Sequence, residues 1–571
     1  MRYMRKSKKH VIPGFEISRA ITVGMLFIFI ILPLISVFLS VLRMEPKKFF
    51  SVIMSKAVLS AFSVSIFFSF LAAFINTVFG TVLAWVLVRY DFFGKRLLDG
   101  ILELPFAMPT AVAGITLSKM YSTTGEPGRL LSQFGIYVSY TQLGILVALV
   151  FIGLPFTVRS VMPVLAKLNR EYEEAAYTLG AGSIQTLGRV ILPELFPAIL
   201  TGFGLSFARG IGEYGSVIYI SGNSAREHTQ VISYVIMQKL SYMDYESATA
   251  IAFVMLILSF LILLLMNALQ IWQSRHTSGA GETINAKKSE VIKESSVLKN
   301  VLIVGSILYV IIMLVMPLLY VISHSLSRGI KFYMESISTK YVCSAMLVTL
   351  CTVVFTVVIN TFFGVTASWF LTRFDFKGKR VLTTLIDIPF SISPVIAGLS
   401  YVMMFGRIGW AYPFLQKIND IFGTDIQIVF ALPGVVLATI FVTFPFVSRE
   451  IIPVLNSVGR DEEEAAAMMG ANGFVIFKRI TFPHMKWALV YGVILCAARA
   501  LGEFGAVNAL SKTRGKTFTL PLEIDALYMA GSADSIISAF CVSSILVIIA
   551  IVILVVRSIF EYREEKLCTQ R

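Results

Sequence analysis

Apolar stretches long enough to cross a bilayer recur along the chain, separated by short polar segments rich in lysine and arginine. The first covers residues 21–42, and five more follow near 59–88, 99–121, 140–163, 190–220 and 247–272. Residues 274–298 are then polar, with Gly279, Gly281, Lys287, Lys288 and Glu290, and predict a linker. Beyond it the pattern repeats near 299–323, 345–372, 381–405, 427–453, 480–510 and 535–558. A helix needs about 20 apolar residues to cross the hydrocarbon core. The pattern therefore predicts an all-α polytopic membrane protein of about twelve transmembrane helices in two sets of six, divided as 1–273, linker 274–298 and 299–571. The first apolar run is too long for a signal-peptide core and no small-residue cleavage site follows it, so it reads as an uncleaved spanning helix.

The repetition extends to individual residues. Arg89-Tyr90-Asp91-Phe92-Phe93-Gly94-Lys95-Arg96 matches Arg373-Phe374-Asp375-Phe376-Lys377-Gly378-Lys379-Arg380, and Pro105-Phe106 and Ala113-Gly114 match Pro389-Phe390 and Ala397-Gly398. Further on, Glu174-Ala175-Ala176, Gly180, Val190, Leu192 and Pro193 return as Glu464-Ala465-Ala466, Gly470, Ile480, Phe482 and Pro483 with every interval kept. Both copies are polar loops, 171–189 and 461–479. Each predicts a compact exposed helix: Glu173 and Glu174, or Glu462, Glu463 and Glu464, suit a first turn, the alanines continue it, and Gly180 or Gly470 allows its end. An even number of spans separates equivalent positions, so the halves are parallel, related by an axis along the membrane normal, and imply a central pore.

A composition of 56% hydrophobic and 15% charged residues, with mean hydropathy +0.79, excludes an ordinary soluble domain. The net charge of +15 sits in short runs beside apolar spans, which fits positive-inside topology and not a nucleic-acid-binding face. With a cytoplasmic N-terminus, the inner segments of the first half hold eighteen Lys and Arg against eight outside, which puts both Glu-Ala-Ala loops and both termini in the cytoplasm. Five scattered cysteines without a CxxC pair and five scattered histidines indicate no disulfide framework and no metal site.

Spans three and nine carry Pro105 and Pro109, or Pro389 and Pro394. A proline break at membrane depth is tolerated only against protein or a water-filled path, so these helices are candidates to line a pore, the alternative being a kink that serves packing. Spans five and eleven each hold an Arg and a Glu four residues apart, Arg209 with Glu213 and Arg499 with Glu503, on one helix face. They read either as the positive lining of an anion path or as a structural pair near the cytoplasmic end. Gly210-Ile211-Gly212-Glu213-Tyr214-Gly215 fits a dinucleotide fingerprint but lies inside an apolar span, and Gly515-Lys516-Thr517 lacks the rest of a phosphate loop. A nucleotide site is therefore expected on another chain.

The Glu-Ala-Ala loops resemble the cytoplasmic coupling loops of ABC importer permeases. The stretches Glu103 to Gly114 and Phe207 to Val217 look like the first permease subunit of bacterial sulfate/thiosulfate importers, and Phe444 to Glu450 with Ala498 to Val507 look like its partner subunit. The resemblance implies two tandem six-helix ABC importer permease domains of the type I, molybdate/sulfate-like class, fused in one chain. It further implies two ABC ATPase subunits carrying ATP and Mg, an extracytoplasmic oxyanion-binding protein, no cofactor and no covalent chemistry on this chain, and coupling through Glu173, Glu174, Ala175, Ala176, Gly180, Glu463, Glu464, Ala465, Ala466 and Gly470. Molybdate or tungstate is the alternative cargo, and a twelve-span secondary transporter the alternative class.

Overall fold

A computed structural model describes residues 12–168, 171–274 and 296–569. The N-terminal basic cluster at Arg2 to Lys9, Arg170 and nearly all of the expected linker lie outside the described residues. The first half is built from α1 (Phe15–Leu42), α2 (Lys56–Arg89), α3 (Lys95–Ala107), α4 (Thr110–Met120), α5 (Gln142–Lys167), α6 (Glu171–Thr178), α7 (Leu187–Ile211) and α8 (Tyr245–Met266). The second half repeats it as α9 (Lys299–Ser325), α10 (Lys340–Arg373), α11 (Lys379–Ser391), α12 (Pro394–Phe405), α13 (Leu432–Val458), α14 (Asp461–Met468), α15 (Gly473–Leu501) and α16 (Ala533–Phe560). Ten of these are long and apolar enough to cross a membrane, or twelve if each bent pair counts as one span.

The bent pairs are the expected spans three and nine. α3 meets α4 at 105° and α11 meets α12 at 104°, a far sharper turn than a kink, because Pro109 or Pro394 removes a donor and forces the preceding residue out of the helical region. The span expected at 190–220 is likewise two pieces: α7 stops at Ile211, and a short helix resumes at Val217–Ile220. Four other prolines are absorbed without a break. Pro33, Pro193, Pro317 and Pro483 each follow a π-helical turn, at Phe27–Ile31, Leu187–Ile191, Ile311–Val315 and Phe477–Thr481, where the widened turn makes room for the ring.

Each half also holds one buried amide deep in a span. Asn76 Nδ2 donates to Ser206 Oγ at 3.2 Å, and Asn360 Nδ2 to Thr443 Oγ1 at 2.8 Å, tying α2 to α7 and α10 to α13. Small residues then let the backbones close in: a Cβ on Gly114 would stand 2.3 Å from the Ser216 carbonyl oxygen, and one on Gly398 2.5 Å from that of Ala506.

The first helix of each half packs on the other half. Phe15 stacks among Phe370 and Phe374, Tyr401 donates to the Phe29 carbonyl at 2.8 Å, and Trp410 Nε1 to Ser36 Oγ at 2.8 Å. In return Tyr309 of α9 stacks on Phe79 of α2 at 4.5 Å between centroids.

Candidate functional site

The two proline breaks face helix ends of the opposite half. Ser393, at the α11–α12 break, donates from Oγ to the Gly212 carbonyl at 2.7 Å. Pro109 lies so near Gly502 that a Cβ there would meet its Cα at 3.1 Å. At one junction a backbone carbonyl at membrane depth thus finds its partner in the opposite half, and at the other the two backbones approach closely.

Between the breaks lies a cavity of about 40 Å³ lined by Pro105, Phe106, Phe156 and Arg209 from one half and by Pro389, Phe390, Pro394, Phe446 and Arg499 from the other. At about 10–15 Å³ per water it has room for roughly three. The two arginines are 14% and 13% exposed, and each pairs with the glutamate four residues on, Arg209 Nη2 with Glu213 Oε2 at 2.8 Å and Arg499 Nη2 with Glu503 Oε2 at 2.7 Å. The expectation of one helix face for both members is corrected. Arg209 and Arg499 occupy the last turns of α7 and α15, whereas Glu213 and Glu503 lie beyond those helices. Their remaining oxygens accept the backbone N–H of Ser216 and of Ala506, at 3.0 and 2.9 Å, so each carboxylate starts the next helical turn while holding its arginine. Nor do the pairs sit near the loop-bearing end: at 1.5 Å per residue Arg209 stands about 26 Å along the axis from Leu192. Farther along, Tyr214 and Phe504 stack at 5.8 Å with planes 8° apart, and Tyr219 donates to Asp525 at 2.7 Å, closing the cavity on that side with one residue from each half.

At the opposite end stand the two Glu-Ala-Ala helices, α6 and α14. Gly180 and Gly470 end them in the left-handed region, φ 83° and 88°. Ala181 N–H reaches back to Ala176 O at 3.0 Å and Ala471 N–H to Ala466 O at 3.1 Å, the closing bond that only a positive φ at the glycine permits. The expectation of an exposed helix is corrected for one side of each helix. Glu174 is half-buried and Glu464 exposed, but Glu173 and Glu463 are buried. Glu173 pairs with Arg89. Glu463 Oε2 pairs with Arg373 Nε at 2.5 Å, both nearly solvent-free at 2% and 1%; Thr481 donates to its other oxygen at 2.6 Å, and Arg373 Nη1 donates to Leu455 O at 2.8 Å. These arginines belong to the other repeated segment, at the ends of α2 and α10, where the sequence reading uses them as landmarks of the repeat and assigns them no partner. The neighbouring Asp375 accepts both Arg460 Nη1 and Nη2, at 2.8 and 3.1 Å, and the Arg460 guanidinium holds its carboxyl down at about 2. Beside the exposed carboxylates Glu171, Asp461, Glu462 and Glu464, the C-terminal ends of α6 and α14 offer bare apolar side chains: Leu179 is 88% exposed, Met468 84% and Met469 90%. Outside the spans such a surface asks for a protein partner.

The family described as "Binding-protein-dependent transport system inner membrane component" matches residues 76–279 and 360–566. The chain belongs to this family. The two matches begin at the buried Asn76 and Asn360. Among relatives, this binding-protein-dependent permease is 45% identical over 264 residues to "Sulfate transport system permease protein CysT" of Salmonella typhimurium, covering 46% of this chain and 95% of the relative. It is 45% identical over 239 residues to "Sulfate transport system permease protein CysW" of Synechococcus elongatus, covering 42% and 82%. A solved bacterial ABC transporter "involved in the import of the acidic polysaccharide alginate" matches 44% of this chain and 92% of its own at 20% identity, with a TM-score of 0.39. The permease is thus a multi-pass membrane transport subunit with two tandem permease domains, of a family that works with an ATPase and a binding protein.

Proposed function

We propose that this chain supplies both permease halves of an ATP-driven importer for sulfate or thiosulfate. The observation that carries the reading is the cavity that sets Arg209 and Arg499, one from each half, around a single small space between the proline breaks at Pro105 and Pro109 and at Pro389 and Pro394. A divalent oxyanion loses strong hydration on entering a membrane, and two guanidinium groups offset part of that cost, while Glu213 and Glu503 keep them from holding it too tightly. The sulfate names of the relatives favour that anion over molybdate or tungstate.

The halves are 1–273 and 299–571, joined by a cytoplasmic linker at 274–298, with both termini cytoplasmic. One ATPase subunit docks on each of α6 and α14 over Leu179, or Met468 and Met469. ATP and Mg are bound there, and this chain does no covalent chemistry. An oxyanion-binding protein meets the opposite face. When ATP draws the ATPases together, α6 and α14 approach, and the buried pairs Arg89–Glu173 and Arg373–Glu463 pass that displacement to α2 and α10. The Tyr214–Phe504 stack then parts and the cavity, too small for a hydrated anion, widens.

Membrane vesicles containing the permease, its ATPase and its binding protein test this by uptake of radiolabelled sulfate. ATP-dependent uptake that excess molybdate leaves intact is expected. Uptake of molybdate without sulfate would overturn the substrate, and uptake driven by an ion gradient without the ATPase would overturn the class.

A further inference from the structure

A second, larger space lies to one side of the central cavity. It measures about 850 Å³ and is bounded by Thr201 and Leu205 of α7, by Phe260, Leu264 and Met266 of α8, and by α11. Phe260 and Leu264 are exposed on the lipid-facing side, as is Val381 on α11, so the space opens toward the bilayer. Its wall is apolar along α7 and α8, and its charge is gathered at one end. There stand Lys379 and Arg380, in the first turn of α11, while Arg449 lies about two turns further along, beside Asp387.

Arg449 is already occupied: its Nε donates to Asp387 at 2.9 Å and its guanidinium lies 3.9 Å from the centre of the Phe390 ring. Lys379 has a loose contact, 3.3 Å, with Asp375, whose carboxylate is chiefly engaged by Arg460. Among the described residues Arg380 is exposed and pairs with no carboxylate. The end of the space that carries net positive charge lies on the face where α14 stands, since Asp375 ties the start of α11 to Arg460.

The matching position in the first half is bridged by ion pairs. Glu103, the counterpart of Asp387, binds Arg159 Nη2 at 2.7 Å and also Arg557, which reaches it from α16. α16 is thereby held to α3, whereas α8 carries no Lys or Arg with which to reach α11 in the same way. The difference matters because the wall of the open space includes Phe156 and Phe390, which also line the central cavity. An occupant would press on residues of the central cavity itself.

We propose that this lateral space is a binding site for one anionic phospholipid, its acyl chains along α7 and α8 and its phosphate between Lys379 and Arg380. An apolar groove open to the bilayer with one free and one partly neutralised cation at one end is complementary to such a molecule and to neither half of it alone: a free anion gains nothing from the α8 wall, and a zwitterionic lipid gains little from the cations. Basic pockets between spanning helices are known takers of acidic headgroups, and the amide end of α11 adds its own positive potential.

The test is native mass spectrometry of the full-length protein in detergent, exposed to phosphatidylglycerol or to phosphatidylcholine. Wild type is expected to retain one phosphatidylglycerol in preference to phosphatidylcholine. Arg380→Gln lowers that retention about five-fold and Lys379→Gln with Arg380→Gln about 25-fold, at the per-charge attraction usual for basic groups near acidic lipid. Thr384→Trp, which fills the groove while sparing both cations, abolishes retention, and Lys377→Gln, on the same face outside the space, leaves it unchanged. Equal retention of phosphatidylcholine, or indifference to Thr384→Trp, overturns the proposal. Displacement of phosphatidylglycerol by millimolar inorganic sulfate also overturns it, because the cations would then serve a free anion.

Discussion

Replacing Glu463 by glutamine keeps the shape of the side chain and its bond from Thr481 but removes the charge that neutralises Arg373. The guanidinium is left in a site only 1% exposed, with the Leu455 carbonyl as its remaining partner. Breaking one side of a buried pair costs about 3–5 kcal/mol, whereas exchanging both members for neutral groups of similar volume is often close to neutral. Because the pair fastens α14 to the end of α10, the cost appears as easier local opening of residues 461–470. At 1.4 kcal/mol per factor of ten, their hydrogen-exchange protection falls between about a hundred-fold and a few thousand-fold. Exchange read by mass spectrometry, with the span cores as internal reference, measures this directly. Arg373→Met combined with Glu463→Gln should regain most of the protection, while Glu464→Ala, one residue on and exposed, should change it less than three-fold. Loss of less than five-fold in Glu463→Gln, or a double variant worse than either single one, refutes the claim that this pair anchors the helix.

Gly180→Asp with Gly470→Asp should abolish ATP-dependent uptake and ATPase co-purification with insertion intact. A Cβ at either glycine meets no neighbour, so the milder Gly470→Ala bears only the left-handed strain of about 1–2 kcal/mol, seen as a lower melting temperature in detergent. Arg209→Gln and Arg499→Gln should each reduce sulfate uptake while ATPase co-purification persists; loss of both together would assign them to holding Glu213 and Glu503 alone. Asp375 lies in the folded state near 2, below its ordinary 3.8, so its contribution to stability is present above about pH 4 and lost as pH falls through about 2. The stability difference between wild type and Asp375→Asn should therefore be constant between about pH 5 and 8 and vanish in strong acid.

Features fixed by short-range pattern were legible in the chain. The spans, the glycine-ended helices at Gly180 and Gly470, and the proline breaks all rest on residues within a few positions of one another. The failures share a different cause. Glu173 and Glu463 looked like ordinary first-turn carboxylates because the arginines that bury them stand 84 and 90 residues earlier, inside the Arg89 and Arg373 repeats. Glu213 and Glu503 looked helical because four-residue spacing is the same whether a helix continues or ends; Gly212 and Gly502 were the signal that it ends. Asn76 and Asn360 went unread, although an amide recurring in the middle of an apolar span is costly there unless another helix answers it. The lateral space has no local signature at all, since it depends on how far α8 stands from α11.

The exchange of first helices sets a constraint on how the protein is made. α1 leaves the ribosome well before its partners Phe370, Phe374 and Tyr401, which follow roughly 350 residues later, a wait of roughly 20–70 s at ordinary synthesis rates of about 5–20 residues per second. Throughout that interval it must survive in lipid without them. Its mean hydropathy of 2.9 stands well above the 1.6 of α7 and 1.3 of α15, which emerge beside neighbours already in place. The helix that must wait longest for the opposite half is thus oily enough to be left alone, and insertion of α1 should succeed in nascent chains stopped long before the second half exists.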